Sequence, residues 1–245
     1  MATAPDGAPR SEVVHETATN ETLLAGFSAF GLAGLTAVDY LVDHLDLEMT
    51  GHITVDGVPA VTPFENGRPR RHTRLFSRPD LDVTVLVGEL FVPPMASTAL
   101  TDAVVEWAES GSTAEAVVLS GVPIAHGPDE HRTYYVATNG YRERRLAADP
   151  IPPMGRGFLD GVHASLVERG LDSSLDVCTY ITPVHAQAPD IEAAIRLVET
   201  VAAVYDFGID AAPLEAFAAE VEQYYAGLAE RLEERDASTD DRMYM

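Results

Sequence analysis

The sequence has 245 residues, a mass of 26.3 kDa and a net charge of −23, with 39 acidic side chains against 16 basic ones. Its 46% apolar content is enough to bury the core of one large domain or two small ones. So acidic a surface repels nucleic acid and anionic membranes, which excludes functions that depend on binding either of them.

All of the basic residues are arginine, and lysine is absent. In molar salt the Debye length falls to about 3 Å, so the self-repulsion of such a surface is screened. The charge pattern therefore predicts a halophilic source with a salt-filled cytoplasm. The single cysteine, Cys178, excludes an internal disulfide and a multi-cysteine metal site, and its apolar surroundings predict a buried strand thiol. Without a signal pattern or a long apolar segment, the protein is expected to be cytoplasmic.

The sequence predicts three regions: a disordered N-terminal tail over 1–20, a single domain over 21–235, and a flexible C-terminal docking tail over 236–245. Continuous apolar runs predict buried strands, and apolar residues three and four apart predict helices. Strands are predicted at 22–27, on both sides of 66–78, and at 83–90, 116–120, 133–137 and 175–182. Helices are predicted at 29–45, 97–109, 158–169, from 189 onward and at 213–235. This alternation predicts a three-layer αβα sandwich with a largely parallel sheet and a C-terminal helical portion.

Four residues mark a possible ligand pocket. Gly26, Gly31 and Gly34 surround the turn from the first strand into its helix, where free N–H groups suit an anion. Glu89 ends a central strand, where open α/β sheets place ligand groups. The turn matches no phosphate-binding motif, and close packing of the helix on the sheet explains the same glycines. Ser28 is not predicted to be a nucleophile, because Phe30 replaces the second glycine of a nucleophile elbow.

The segment HGPDEHR offers metal donors by residue type in His126, Asp129, Glu130 and His131. Gly127 and the following proline predict a loop there, and the spacing specifies no coordination geometry. We therefore predict no metal site. No catalytic residue and no cofactor are predicted anywhere in the chain.

Arg68, Arg70, Arg71 and Arg74 hold a quarter of the cations in seven positions. Two interpretations stay open for this cluster. It is a solvated loop and edge strand that balances the acidic surface locally, or it is a contact for an acidic partner.

The last three residues, Met243, Tyr244 and Met245, follow a polar segment. They resemble the hydrophobic-tyrosine-any (HbYX) motif with which proteasome activators and some assembly chaperones enter pockets between α-ring subunits. In that mode the Met245 carboxylate pairs with a receptor lysine. Tyr244 supplies an amphipathic ring and Met243 an adaptable apolar plug.

From Leu23 to Glu234 the chain resembles the proteasome assembly chaperone family, as an archaeal member of haloarchaeal type. The resemblance is carried by GFSAFGLAGLTAVDYL, GELFVPP, VVLSGVPIAHGPDEHRTYYVATN and APDIEAAIRLVETVAAVYDFGIDAAPLEAFAAEVEQ. It implies an αβα core, assembly into a homo-oligomer, and binding to 20S proteasome α-subunits instead of catalysis. An ATP-grasp-like activity, also associated with the family, would need a lysine and paired metal carboxylates that this sequence lacks.

The sequence thus predicts a non-enzymatic proteasome assembly chaperone or proteasome-interacting regulator that docks by its C-terminal tail. Two alternatives remain. One is an enzyme acting on a phosphate-bearing or nucleoside-like ligand near Gly31 and Glu89. The other is an oligomeric adaptor unrelated to the proteasome.

Overall fold

The computed structural model describes residues 10–58, 60–78, 80–147, 151–185, 189–214 and 216. The chain divides into two compact units, Met1–Ile209 and Asp210–Met245. All strands and helices named below belong to the first unit. Most of the predicted helix at 213–235, the domain boundary at 235 and the tail over 236–245 lie outside the described residues.

Ten strands and five α-helices form in the described part of the first unit. The strands are β1 (Ser11–His15), β2 (Thr22–Phe27), β3 (Glu48–Val55), β4 (Phe64–Glu65), β5 (Arg68–Pro69), β6 (Thr73–Ser77), β7 (Val83–Gly88), β8 (Glu115–Val122), β9 (Tyr134–Ala137) and β10 (Asp176–Pro183). The helices are α1 (Ala33–His44), α2 (Pro94–Glu109), α3 (Asn139–Arg145), α4 (Gly161–Leu171) and α5 (Ile191–Tyr205). Short 3₁₀ helices lie at Phe30–Leu32 and Pro128–Glu130.

Eight of these strands form one mixed sheet in the order β1-β3-β6-β7-β2-β8-β10-β9. The four central strands, β7, β2, β8 and β10, are parallel to one another, and the remaining neighbours pair antiparallel. Strands β4 and β5 form a separate two-stranded ribbon. The predicted α/β sandwich is confirmed, with its parallel part confined to the centre of the sheet.

Two pairs of helices cover the central strands. Helix α1 contacts α5, and α2 contacts α4. Every residue of β2 and β7 is buried, as expected of strands that are covered on both faces. The core below α2 and α4 joins Leu23, Phe27 and Leu86 of the sheet to Leu100 and Leu166 of the helices.

The N-terminal segment differs from its prediction, because Ser11–His15 forms an edge strand instead of a loose tail. Strand β1 pairs antiparallel with β3, from Ser11 opposite Val55 to His15 opposite Gly51. Its side chains alternate between half-buried and exposed, and Val13 packs against the core. The ring of His15 meets the Trp107 ring edge-on at 5.3 Å. Residues 1–9 lie outside the described part.

A buried ion-pair network ties the amino-terminal edge of the parallel strands together. The side chain of Glu115, which begins β8, is 0% exposed. Its carboxylate accepts hydrogen bonds from Thr22 Oγ1 at 2.9 Å, Tyr205 Oη at 2.9 Å and Arg145 Nε at 3.1 Å. Arg144 Nη1 lies 3.3 Å from the same carboxylate. Both arginines are on α3, so these ion pairs hold this short helix against the sheet.

A group of tyrosines extends this network. The Tyr141 hydroxyl lies 3.2 Å from that of Tyr180 and 3.0 Å from that of Tyr205. Burial raises the pKa of Tyr141 well above its ordinary value, and the neighbouring Tyr205 adds to the effect. Burial and the Glu115 charge raise the pKa of Tyr205 in the same direction. Both phenols therefore stay protonated through the physiological range.

Candidate functional site

A cavity of about 860 Å³ opens at the carboxyl-terminal edge of the parallel strands. It is lined by residues 27–32 at and after the end of β2, residues 120–123 at the end of β8, and residues 157–163 before and into α4. Strands β2 and β8 are neighbours, yet the chain leaves β2 toward β7 and reaches β8 only afterward. This is a topological switch point, the place where open α/β sheets bind ligands.

The chemistry of this cavity is mainly apolar. Its polar side chains are few, and among them Thr179 Oγ1 is buried without a hydrogen-bond partner in the described part of the chain. Burial lowers the pKa of His163, so this lining imidazole is neutral near pH 7. No arginine is among the described residues that line the cavity. The site suits an apolar ligand or an apolar protein segment better than a phosphate.

Three phenylalanines at the cavity are exposed to solvent. Phe30 is 57% exposed, Phe91 64% and Phe158 103%. Exposed apolar side chains that gather around one opening mark a surface that contacts a ligand or another protein.

Of the four residues predicted to mark a ligand pocket, Gly31 lines this cavity, and Gly26, Gly34 and Glu89 are not among the lining residues. Gly31 has a φ of 66°, and a Cβ there would lie 2.9 Å from Val184 Cβ. A Cβ on Gly34 would lie 2.7 Å from the Leu119 carbonyl carbon, and one on Gly26 2.6 Å from Val38 Cγ2. Gly26 and Gly34 therefore let α1 approach the sheet closely, which is the packing interpretation of the turn.

Glu89 belongs to the arginine cluster. Its carboxylate forms ion pairs with Arg70 and with Arg74 Nη2, the latter at 3.3 Å. The hydrogen bond that Arg70 donates to Glu89 raises the pKa of Arg70 further, which keeps that guanidinium charged. Arg68 and Arg71 are exposed. Local charge balance thus explains two of the four arginines, and the other two remain available to a partner.

Three histidines from two loops come together beside the cavity. The centroids of the His126 and His131 rings are 4.9 Å apart, and the His185 ring lies 5.1 Å from His126 and 6.1 Å from His131. One nitrogen of each ring lies within 4.8 Å of one nitrogen of each other ring. Asp129 and Glu130 do not belong to this group.

The sequence prediction considered His126 and His131 but missed His185. A signal for it exists, because His185 lies two residues after the end of β10 and His126 lies four residues after the end of β8. Parallel strands that are neighbours end at the same edge of a sheet, and here Pro183 pairs with Val122. Their following loops are therefore brought together.

Further predictions concern the cysteine, the C-terminal residues and membrane-spanning segments. Cys178 is fully buried on β10, as predicted, and burial raises the pKa of its thiol well above the ordinary range. The predicted docking residues Met243, Tyr244 and Met245 lie outside the described part of the chain. No helix among the described residues has the length and apolar character needed to cross a membrane.

In a comparison with known families, the PAC2 family profile matches residues 23–229. No curated protein sequence matches the chain. The matched segment includes the strands and helices from β2 to α5 and leaves out β1.

Solved structures share this fold at low sequence identity. Pyrococcus furiosus PbaA, described as an archaeal homolog of proteasome-assembly chaperone, aligns with a TM-score of 0.85 and 18% identity over 96% of this chain and 100% of its own. Pyrococcus furiosus PbaB, described as an archaeal proteasome activator, gives 0.76 and 16% over 90% and 99%. A Thermoplasma acidophilum protein of unknown function gives 0.71 and 22% over 89% and 92%. At these identities the likeness establishes the fold.

Proposed function

Because this chain belongs to the PAC2 family, we propose that it is a non-enzymatic protein that assists the assembly of the proteasome or regulates the assembled particle. The family match over residues 23–229 carries the proposal. It is supported by the near-complete structural overlap with PbaA and PbaB, whose descriptions name proteasome assembly and proteasome activation.

We infer that contact with the 20S particle is made through Met243, Tyr244 and Met245, which would enter pockets between α-subunits. Capture of a C-terminal carboxylate by a receptor lysine is an established mode of peptide recognition. It requires a free α-carboxylate on Met245. The tyrosine ring and the methionine side chain would add apolar contact in the same pocket.

Three residues bury little surface, and ordering them costs entropy, so a single tail binds weakly. A homo-oligomer would present several tails to one ring, and the effective concentration would raise the avidity about 10²–10⁴-fold. The exposed Phe30, Phe91 and Phe158 support a contact with a second copy of this chain, because monomeric surfaces rarely gather aromatic rings in this way. We therefore propose a homo-oligomer.

The alternative of an enzyme for a phosphate-bearing ligand is not favoured by the cavity. Such a ligand needs cationic side chains or a cradle of backbone N–H groups. The described lining offers the carboxylate of Asp160 and no guanidinium, and Glu89 is engaged with Arg70 and Arg74. A binding function fits these observations better.

The test is binding to purified α-rings and 20S particles in molar salt. The full chain is compared with three altered chains: one that lacks Met243–Met245, one with Tyr244→Ala, and one with an alanine added after Met245. The proposal predicts that all three altered chains lose binding, the last because it moves the carboxylate out of register. Tyr244→Phe is the matched control and should keep most of the affinity.

Two further readouts separate the possible roles. Faster peptide hydrolysis by 20S particles would identify a gate-opening regulator. Faster formation of α-rings from free subunits would identify an assembly chaperone. If the full chain binds neither α-rings nor 20S particles, the proteasome role is refuted and the unrelated adaptor becomes the working hypothesis.

A further inference from the structure

The three histidines beside the cavity are arranged like a set of metal ligands. One nitrogen of each ring lies within 4.8 Å of the others. Tetrahedral zinc, with Zn–N bonds of about 2.0–2.1 Å, holds its ligand nitrogens about 3.4 Å apart. The rings would have to move by about 1–2 Å to bind an ion at these bond lengths. The His185 side chain is 71% exposed, so solvent space surrounds the ring for that movement.

The hydrogen bonds of two of the rings prepare them for coordination. His126 Nδ1 lies 2.7 Å from the carbonyl oxygen of Ile124, and His185 Nδ1 lies 3.0 Å from Asp190 Oδ2. A carbonyl and an ionised carboxylate only accept hydrogen bonds, so each Nδ1 carries the hydrogen. In the neutral ring this leaves the lone pair of Nε2 free. Metal-ligating histidines commonly have such a carbonyl or carboxylate partner behind them.

Asp190 is held in place beside the His185 ring by several hydrogen bonds. Its carboxylate accepts from the His185 and Ala193 backbone amides and from the His185 ring. Oδ1 accepts from Ala193 N at 2.9 Å, and Oδ2 accepts from His185 N at 2.8 Å. Asp190 N in turn donates to Gly31 O at 2.8 Å. These bonds hold the carboxylate in place, and its contact with Nδ1 orients the His185 ring.

The loop that carries the other two histidines is also ordered by its own bonds. The 3₁₀ turn Pro128–Glu130 lies between His126 and His131. The Glu130 carboxylate accepts from Gly127 N at 2.9 Å, and Glu130 N donates to Gly127 O at 3.0 Å. The glutamate is therefore used inside the loop and leaves the three imidazoles as the donor set.

From this geometry we propose that His126, His131 and His185 bind one divalent transition-metal ion of the zinc type, with a fourth coordination position open. Neutral nitrogen donors favour zinc, nickel, copper or cobalt over magnesium and calcium, which prefer oxygen. Asp190 is the positioning residue. The ion would connect the loop after β8 to the loop after β10, next to cavity-lining Pro123 and Pro189. This site is independent of the proposed proteasome role.

The experiment uses the full chain, freed of metal with a chelator and then titrated with Zn²⁺ against a chromophoric competitor. We expect one ion per chain. Co²⁺ in the same site should give the intense visible absorption of a four-coordinate centre. His131→Ala and His185→Ala should each weaken binding by at least about 100-fold. Asp190→Asn, which keeps an oxygen for capping α5, should weaken it about 10–100-fold.

His44→Ala is the matched control. His44 also directs Nδ1 to a carbonyl, that of Tyr40 at 3.0 Å, but it lies on α1 and outside the group of three. It should bind Zn²⁺ like the unaltered chain. Circular dichroism confirms that each variant is folded before titration.

Three results would overturn the proposal. These are the absence of Zn²⁺ binding at 100-fold molar excess, equal affinity in the His131, His185 and His44 variants, and a Co²⁺ spectrum typical of six-coordination by water. None of these readouts involves the proteasome, so the failure of this proposal and the failure of the proteasome role are distinguishable.

Discussion

Replacing Glu115 by alanine tests the buried network at the amino-terminal edge of the sheet. The carboxylate has no exposed surface and bonds to Thr22, Tyr205, Arg144 and Arg145. Its removal leaves two guanidinium groups facing each other without their shared anion. It also removes the acceptor of two hydroxyls.

The size of the effect follows from burial. Breaking a buried ion pair by removing one partner costs about 3–5 kcal/mol. The Arg144 and Arg145 side chains are 38% and 26% exposed, so water can solvate them in part. We therefore expect the free energy of unfolding to fall by about 3 kcal/mol, the lower end of that range. Glu115→Gln keeps the shape without the charge and should lose less.

Urea unfolding followed by far-UV circular dichroism measures this loss, at low salt and in molar salt. The loss should persist in molar salt, because solvent ions do not reach a buried carboxylate. Glu109→Ala removes an exposed carboxylate at the end of α2 and is the control. A loss below about 1 kcal/mol for Glu115→Ala, or one that disappears in molar salt, would mean that the pair behaves like a surface ion pair and would refute the reasoning.

Three other predictions concern packing, titration and reactivity. Gly34→Ala should lower the free energy of unfolding in urea by about 1–3 kcal/mol, because its Cβ would overlap the Leu119 carbonyl. Gly155→Ala is the control: a Cβ there has no atom within 4 Å, so the free energy of unfolding should change by less than about 0.5 kcal/mol. Above pH 10 the unfolded chain releases phenol protons that the folded Tyr141 and Tyr205 retain, so stability should fall with rising pH, by up to about 1.4 kcal/mol per pH unit for each tyrosine. Tyr141→Phe should reduce that slope by about 1.4 kcal/mol per pH unit in a pH series of unfolding curves, because one retained phenol proton is lost; an unchanged slope would contradict this. The Cys178 thiol should not react with a disulfide reagent until denaturant is added, and rapid reaction in the folded state would show that it is accessible.

The strands and helices that the sequence predicted well are those whose pattern of apolar residues fits only one type of secondary structure. The runs that became β2 and β7 are apolar at almost every position, which only a strand covered on both faces requires. Helix α5 carries its apolar residues at steps of three and four, and its N-cap Asp190 accepts from Ala193 N. Local pattern and tertiary burial agree in these segments.

The elements that were missed depend on partners distant in the chain. Strand β1 contains polar residues and is stabilised by pairing with β3, about 40 residues later. Helix α3 is rich in arginine and is held by Glu115 and Asp176, which lie on two other strands. The pocket prediction placed Glu89 with Gly31 because both follow strands at the same edge. It could not anticipate that the arginines of β6 and its preceding loop would take the carboxylate.

The contact between His15 and Trp107 makes the edge strand observable in solution. Trp107 is the only tryptophan in the sequence, so its fluorescence has a single origin. It packs against the last residue of β1, at a ring distance of 5.3 Å. Emission intensity should therefore change when β1 detaches from β3, while the far-UV signal of the sheet stays nearly constant. Detachment would leave the edge of β3 that faces β1 unpaired, while β3 stays paired with β6. The emission change would then report when that edge is open to another strand.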